Sequence, residues 1–148
     1  KAKPWVLEII MSKESLEVIL NDISEIYGVD VLTEYKFSKD RRFRFDYFIS
    51  FNTLFDNVSI RGLAIEYEGG VYGAGRHIRP LGFIKDCEKY NLALSLGVPV
   101  LRYTVEHLKD SSKVKEEIEQ VIKQLLKIAS WKQIFNWENT VILLTITL

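Results

Sequence analysis

Three carboxylates stand at positions where strand propensity disfavours them: Asp46 between Phe45 and Tyr47 in RFRFDYF, and Glu66 and Glu68 in LAIEYE. Glu66 and Glu68 lie two apart, so on a strand both project to the same side. If the two segments pair, Asp46 meets them there. Such a cluster repels itself unless protonation or a cation compensates it. Oxygen ligands of this kind suit a hard divalent cation, and magnesium takes one or two carboxylates with waters and phosphate oxygens completing its shell. The chemistry this predicts is polarisation of a phosphate and activation of an attacking water. Asp46 and Glu66 are the expected ligands, and Glu68 is a third ligand or water-orienting base. Glu34, one segment earlier, is the candidate for a second ion. A plainer reading stays open, in which Glu66 and Glu68 form a solvated strand face and Asp46 pairs with Arg42 or Arg44.

Cations flank these acids on both sides in sequence. KFSKDRRFR, residues 36–44, carries five basic side chains against one acid, whereas Lys1, Lys3 and Lys13 are outnumbered by six acids over residues 1–33. A basic stripe in an otherwise neutral chain is the footprint of a phosphate backbone; it is equally a charged strand edge that discourages aggregation. The stretch 69–82, GGVYGAGRHIRPLG, holds five glycines with Arg76, His77 and Arg79 among them. Glycine lets a backbone approach a phosphate, and arginine supplies charged donors. The expected phosphate contacts are therefore Arg41, Arg42, Arg76 and Arg79, which the resemblance described below makes DNA contacts. His77 is a candidate phosphate ligand or proton shuttle, or a solvated loop histidine. The loop matches neither a Walker A loop nor GxGxxG, so no nucleotide cofactor is expected.

Positioning these residues requires a sheet and a helix behind it. Residues 12–27 place Leu16, Leu20, Ile23 and Tyr27 at helical spacing behind a capping serine, with Gly28 as the stop. Strands are predicted over 30–37 and 42–50, joined by a polar turn, with Phe43, Phe45, Tyr47 and Ile49 sharing one face. A third strand, 62–68, turns Leu63, Ile65 and Tyr67 one way and Glu66 and Glu68 the other. Residues 83–96 read as a helix with a stripe of Phe83, Cys87, Tyr90 and Leu94, ended by Gly97. A fourth strand follows over 98–104. A helix between the third and fourth strands is a crossover that makes them parallel. A long helix from Asp110–Ser112 to about Ile128 carries Val114, Ile118, Val121, Leu125 and Ile128. The end, VILLTITL, has strand propensity and no functional reading. The fold class is α/β with a mixed sheet.

The bulk properties exclude several classes. The chain has 148 residues, with 20 basic and 20 acidic side chains, the size of a single domain with one core. The single cysteine, Cys87, rules out an internal disulfide and a cysteine-based zinc cluster and fits a reducing compartment. No apolar run is long enough to span a membrane, and no signal peptide is visible from Lys1 onward. Cys87, His107, Trp5, Trp131 and Trp137 are expected to be structural.

RRFRFDYF followed by LAIEYEGGVYGAGRHIRPLGFIKDCEKYNLALSLGVPVLRYT resembles small phage and bacterial endonucleases of the PD-(D/E)XK, or restriction-endonuclease-like, superfamily. The likeness lies near the very-short-patch-repair and Holliday-junction-resolvase branches. It covers residues 34–104 and rests on spaced elements: the strand aspartate, IE-x-E-GG, GRH, D-x-x-KYN and the VLR strand. The resemblance implies an α-β-β-β-α-β core over about 12–104, within a single nuclease domain 1–148 whose C-terminal helical extension is 110–148. It implies a Mg2+-dependent endodeoxyribonuclease, Mn2+ substituting, acting on DNA that is branched or mismatched. It further implies the cytoplasm of a bacterial or phage-infected cell, no membrane partner, and room for a homodimer. A catalytically inactive nucleic-acid-binding module of the same fold is the alternative. Asp46 matches the motif aspartate and Glu66 the second acid. The chain departs from the motif two residues later, where Glu68 stands in place of the lysine. Lys89, one turn beyond Asp86 on the helix, is the expected replacement; its plainer role is a surface pair with Asp86.

Overall fold

The computed structural model describes residues 4–51, 61–69 and 80–134. The elements run α1 (Pro4–Tyr27), β1 (Asp30–Lys36), β2 (Arg44–Ser50), β3 (Gly62–Glu68), α2 (Pro80–Ser95), β4 (Val100–Thr104), α3 (Val105–Leu108) and α4 (Ser111–Ile134). The four strands form one mixed sheet in the order β1-β2-β3-β4. β1, β2 and β3 are successively antiparallel, and β4 runs parallel to β3, as a helical crossover between them requires. The fold is α/β. Arg76, His77, Arg79, Trp137 and the VILLTITL segment lie outside the described residues.

α1, α3 and α4 cover one face of the sheet. Leu16, Leu20 and Ile23 from α1, Leu63 and Ile65 from β3, and Ile118 and Ile122 from α4 are all buried there. α1 starts a full two turns before the expected serine: Pro4 stands at its first position, where a missing N–H costs nothing. Ser12 is consequently not a cap. It lies inside the helix, bonds the carbonyl of Ile9 at 3.0 Å, and its Oγ sits 2.6 Å from the Tyr67 hydroxyl, tying α1 to the third strand. Gly28 ends α1 at φ 62°, a conformation that favours glycine, and Val29 N–H closes the turn on the carbonyl of Ser24. Gly97 stops α2 in the same way, at φ 72°.

α2 covers the other face, and here the expected side-chain pattern does not hold. Phe45 does not share a face with Tyr47 and Ile49. It packs with Phe37, Phe48, Ala64 and Ala93 on the α2 side, stacked on Phe37 at 4.2 Å. The cause is a local break in the ladder. β1 and β2 pair on either side of Glu34 and Asp46 but not at them, and Glu34 takes φ 49°, which ordinary residues avoid. The stripe expected on α2 is also rotated. Phe83, Cys87 and Leu94 face solvent, while Gly82, Asp86, Lys89, Tyr90 and Ala93 turn inward. The inner face of α2 thus combines core packing at Ala93 with polar side chains at Asp86, Lys89 and Tyr90.

Candidate active site

Each acid reaches the α2 side for a reason legible in the backbone. Ala64, Glu66 and Glu68 alternate with Leu63, Ile65 and Tyr67 on β3, so the apolar set enters the α1/α4 core and the polar set faces α2. Asp46 stands where β2 and β3 stop pairing; their ladder ends at Tyr47 and Ile65. Beyond that point the Asp46 side chain does what a backbone carbonyl would have done: its Oδ2 accepts the Tyr67 N–H at 2.8 Å. The break at Glu34 and Asp46 thus aims the aspartate at β3.

The three acids line one cleft of about 350 Å3 together with Lys85, Asp86, Lys89 and Tyr90 from α2. Lys89 reaches from the helix to Glu66 and forms an ion pair whose partners are 13% and 9% exposed, the most buried pair among the described residues. Its ammonium also lies 5.2 Å from the Phe45 ring centre and 5.7 Å from that of Tyr90, walls that hold a cation by the ring quadrupole. Lys89 does not spend itself on the surface.

Glu68 is gripped from the opposite side. Arg102 on β4 donates from Nε at 3.0 Å and Nη2 at 2.7 Å to its Oε1, and the Tyr90 hydroxyl donates to the same oxygen at 3.3 Å. The guanidinium lies 4.4 Å above the Tyr90 ring. Sequence reasoning missed Arg102; the available signal was a single charged residue in the apolar strand VPVLRYT.

The electrostatics follow from burial. The Glu66 carboxyl is raised to about 7: burial raises it most, the Lys89 hydrogen bond and charge lower it, and Asp46 and Glu68 add a smaller rise. Burial and the nearby Glu66 likewise raise the Tyr90 phenol, keeping it a neutral donor. Asp46, Glu66, Glu68 and Asp86 line the cleft beside Lys85 and Lys89.

Other expected residues fall elsewhere. Glu34 is exposed on β1 and is not among the residues lining the cleft; its carbonyl accepts from Arg44 at 3.3 Å. Arg41 and Arg42 are exposed and line an adjoining groove. Arg41 pairs with Glu88 and lies 4.8 Å over the Phe43 ring. His107 is structural, its Nδ1 closing the first turn of α3 on Thr104. Among the described residues, no group of three or more His, Cys, Asp or Glu side chains is arranged to hold a metal as it stands. None of their helices is long and apolar enough to cross a membrane.

No protein-family model matches the chain, and no significant match exists among curated proteins or solved structures.

Proposed function

We propose that the chain is a metal-dependent DNA endonuclease built on a restriction-endonuclease-like core, hydrolysing phosphodiester bonds with Mg2+ or, in its place, Mn2+. One observation carries the reading. Lys89 comes from α2 into a cleft shared by Asp46, Glu66 and Glu68, bringing an ammonium to the place where the strand itself offers only the acid Glu68.

The donors fit a hard divalent ion in type: all are carboxylate oxygens, and Asp46, Glu66 and Glu68 line one cleft. Asp46 and Glu66 would hold the ion, with Glu68 as third ligand or as the base that orients water. A divalent ion, when bound, polarises the phosphate and lowers the pKa of water. The chain's own residues do the rest. Lys89 holds positive charge against the phosphoryl oxygens, Glu68 takes up the proton of the attacking water, and Tyr90 fixes Glu68 by its hydroxyl. Arg41 and Arg42 bind the flanking phosphates, as do Arg76 and Arg79 in the glycine-rich segment.

A second reading has an observation of its own. Glu66 is already paired with Lys89 and Glu68 with Arg102, and no ready-made ligand set stands among the described residues. Those ion pairs would then be structural, and the chain a DNA-binding module without catalysis. The two readings separate when the protein is incubated with linear, nicked, mismatched and branched DNA, with and without Mg2+ or Mn2+. Cleavage that requires the metal and disappears in Asp46→Asn and Glu66→Gln is expected. Metal-independent cleavage, or cutting by either variant at the parent rate, contradicts the site.

A further inference from the structure

Beside the carboxylate cleft, and sharing Phe43 and Lys85 with it, runs a second groove of about 500 Å3. Its walls are apolar: Leu81 and Ile84 from the first turns of α2, with Phe43 from the approach to β2. Leu81 is 74% exposed and Ile84 51%, so this is the outward apolar side of α2 at the end nearest the acids. Its rim is cationic. Arg41, Arg42 and Lys85 stand against one carboxylate, Glu88, which already pairs with Arg41. The Arg41 guanidinium lies 4.8 Å from the Phe43 ring centre, so the cationic rim meets the aromatic wall directly.

Apolar walls inside a positive rim complement a ligand that is flat and apolar in its body and anionic at its links. A nucleotide is such a ligand, but only when unpaired. In a duplex the base faces are buried in the stack, leaving phosphates for the rim and nothing for the walls; an unpaired base gives both, and stacking on side chains tolerates any sequence. We infer that this groove is a subsite for an unpaired nucleotide next to the scissile phosphate, so that the preferred substrate is DNA with a single-stranded or unstacked segment beside the cut. The inference rests on the nuclease reading for its register with the cut, and on the groove alone for binding.

The test uses the full chain in EDTA, where metal-dependent cutting stops, with a blunt duplex and a duplex of equal length bearing a single-stranded overhang. The wild-type protein is expected to bind the overhang about tenfold more tightly, and a 2-aminopurine in the overhang to change emission as it leaves solvent. Leu81→Ser/Ile84→Ser, at exposed positions and with melting temperature as control, is expected to erase both effects. Its salt dependence should stay unchanged, because no charge is removed. Equal wild-type affinity for the two DNAs overturns the subsite, as does a double variant that keeps the preference. A double variant that only lowers self-association assigns the face to a second copy and overturns it too. Repeating the comparison in Mg2+ separates the two proposals. Cutting without overhang preference removes the subsite and leaves the nuclease; overhang preference without cutting supports the subsite and removes the nuclease.

Discussion

The two faces of this sheet are packed by opposite rules. On the α1/α4 side, Leu16, Leu20, Ile23, Leu63, Ile65, Ile118 and Ile122 form the packed core, and the carboxylates of Glu17 and Glu117 meet it through the hydroxyls of Tyr47 and Tyr103. On the α2 side, aromatic packing around Phe37, Phe45 and Phe48 covers only part of the surface, and the rest is given to Glu66, Glu68, Lys89 and Arg102. Buried ion pairs are weak sources of stability, because desolvation costs about as much as pairing returns. A chain selected for stability alone would have filled that surface as it filled the other. One face holds the fold together, and the other spends stability on charge.

The largest effects should therefore come from the apolar face. Ile118→Ala is expected to cost about 2–5 kcal/mol by urea denaturation, the range for truncating a buried aliphatic side chain. Leu63→Ala, buried on the same face, should cost about as much, on the order of 2–5 kcal/mol. The contrast fails if either change is silent.

On the charged face the sign reverses. Replacing the pair together with apolar side chains, Glu66→Met with Lys89→Met, is expected to leave stability unchanged or raise it by about 1–4 kcal/mol while abolishing cleavage. A strongly destabilised double variant would make the pair part of the scaffold.

A smaller effect separates the faces by pH. Folding raises Glu66 from the ordinary carboxylate value of 4.5 to about 7, so the folded protein holds this proton more tightly than the unfolded chain. Its contribution is fully present below pH 4.5 and is lost as pH rises towards and through 7. The urea midpoint of the wild-type protein should carry this downward slope, and Glu66→Gln should flatten it. An identical slope in the variant would mean that Glu66 titrates normally.

Smallest of all is the ladder break. Glu34 occupies left-handed backbone at φ 49°, so Glu34→Gly should stabilise by up to about 1 kcal/mol. It also probes the second-ion role expected of Glu34: cleavage should persist in the glycine variant, because Glu34 does not line the cleft.

Much of this arrangement was legible because it depends on local period. The alternation of GLAIEYE puts Glu66 and Glu68 together, the helix between β3 and β4 makes them parallel, and Gly28 and Gly97 mark helix ends. That Lys89 reaches the carboxylates was an expectation of the family resemblance, and the structure shows it paired with Glu66. What was not legible depends on departures from period. Phe45 changes face because Glu34 and Asp46 leave the ladder, which no alternation rule encodes. The stripe of α2 was misread because apolar spacing says which residues share a side, not which side meets the sheet. Arg102 escaped notice because a charged residue on a strand reads as solvent-facing until Glu68 and Tyr90 are placed beside it.

The account turns on Lys89, and single-turnover cleavage tests it most directly. With Mg2+ and a DNA substrate that the wild-type protein cuts, Lys89→Met should lower the rate by about a hundredfold or more, with DNA affinity nearly unaffected. Lys89→Arg should recover only part of the loss, since a planar fork does not replace a compact ammonium. A Lys89→Met protein that cuts at the wild-type rate would contradict the account and leave the ion pair with Glu66 as packing alone.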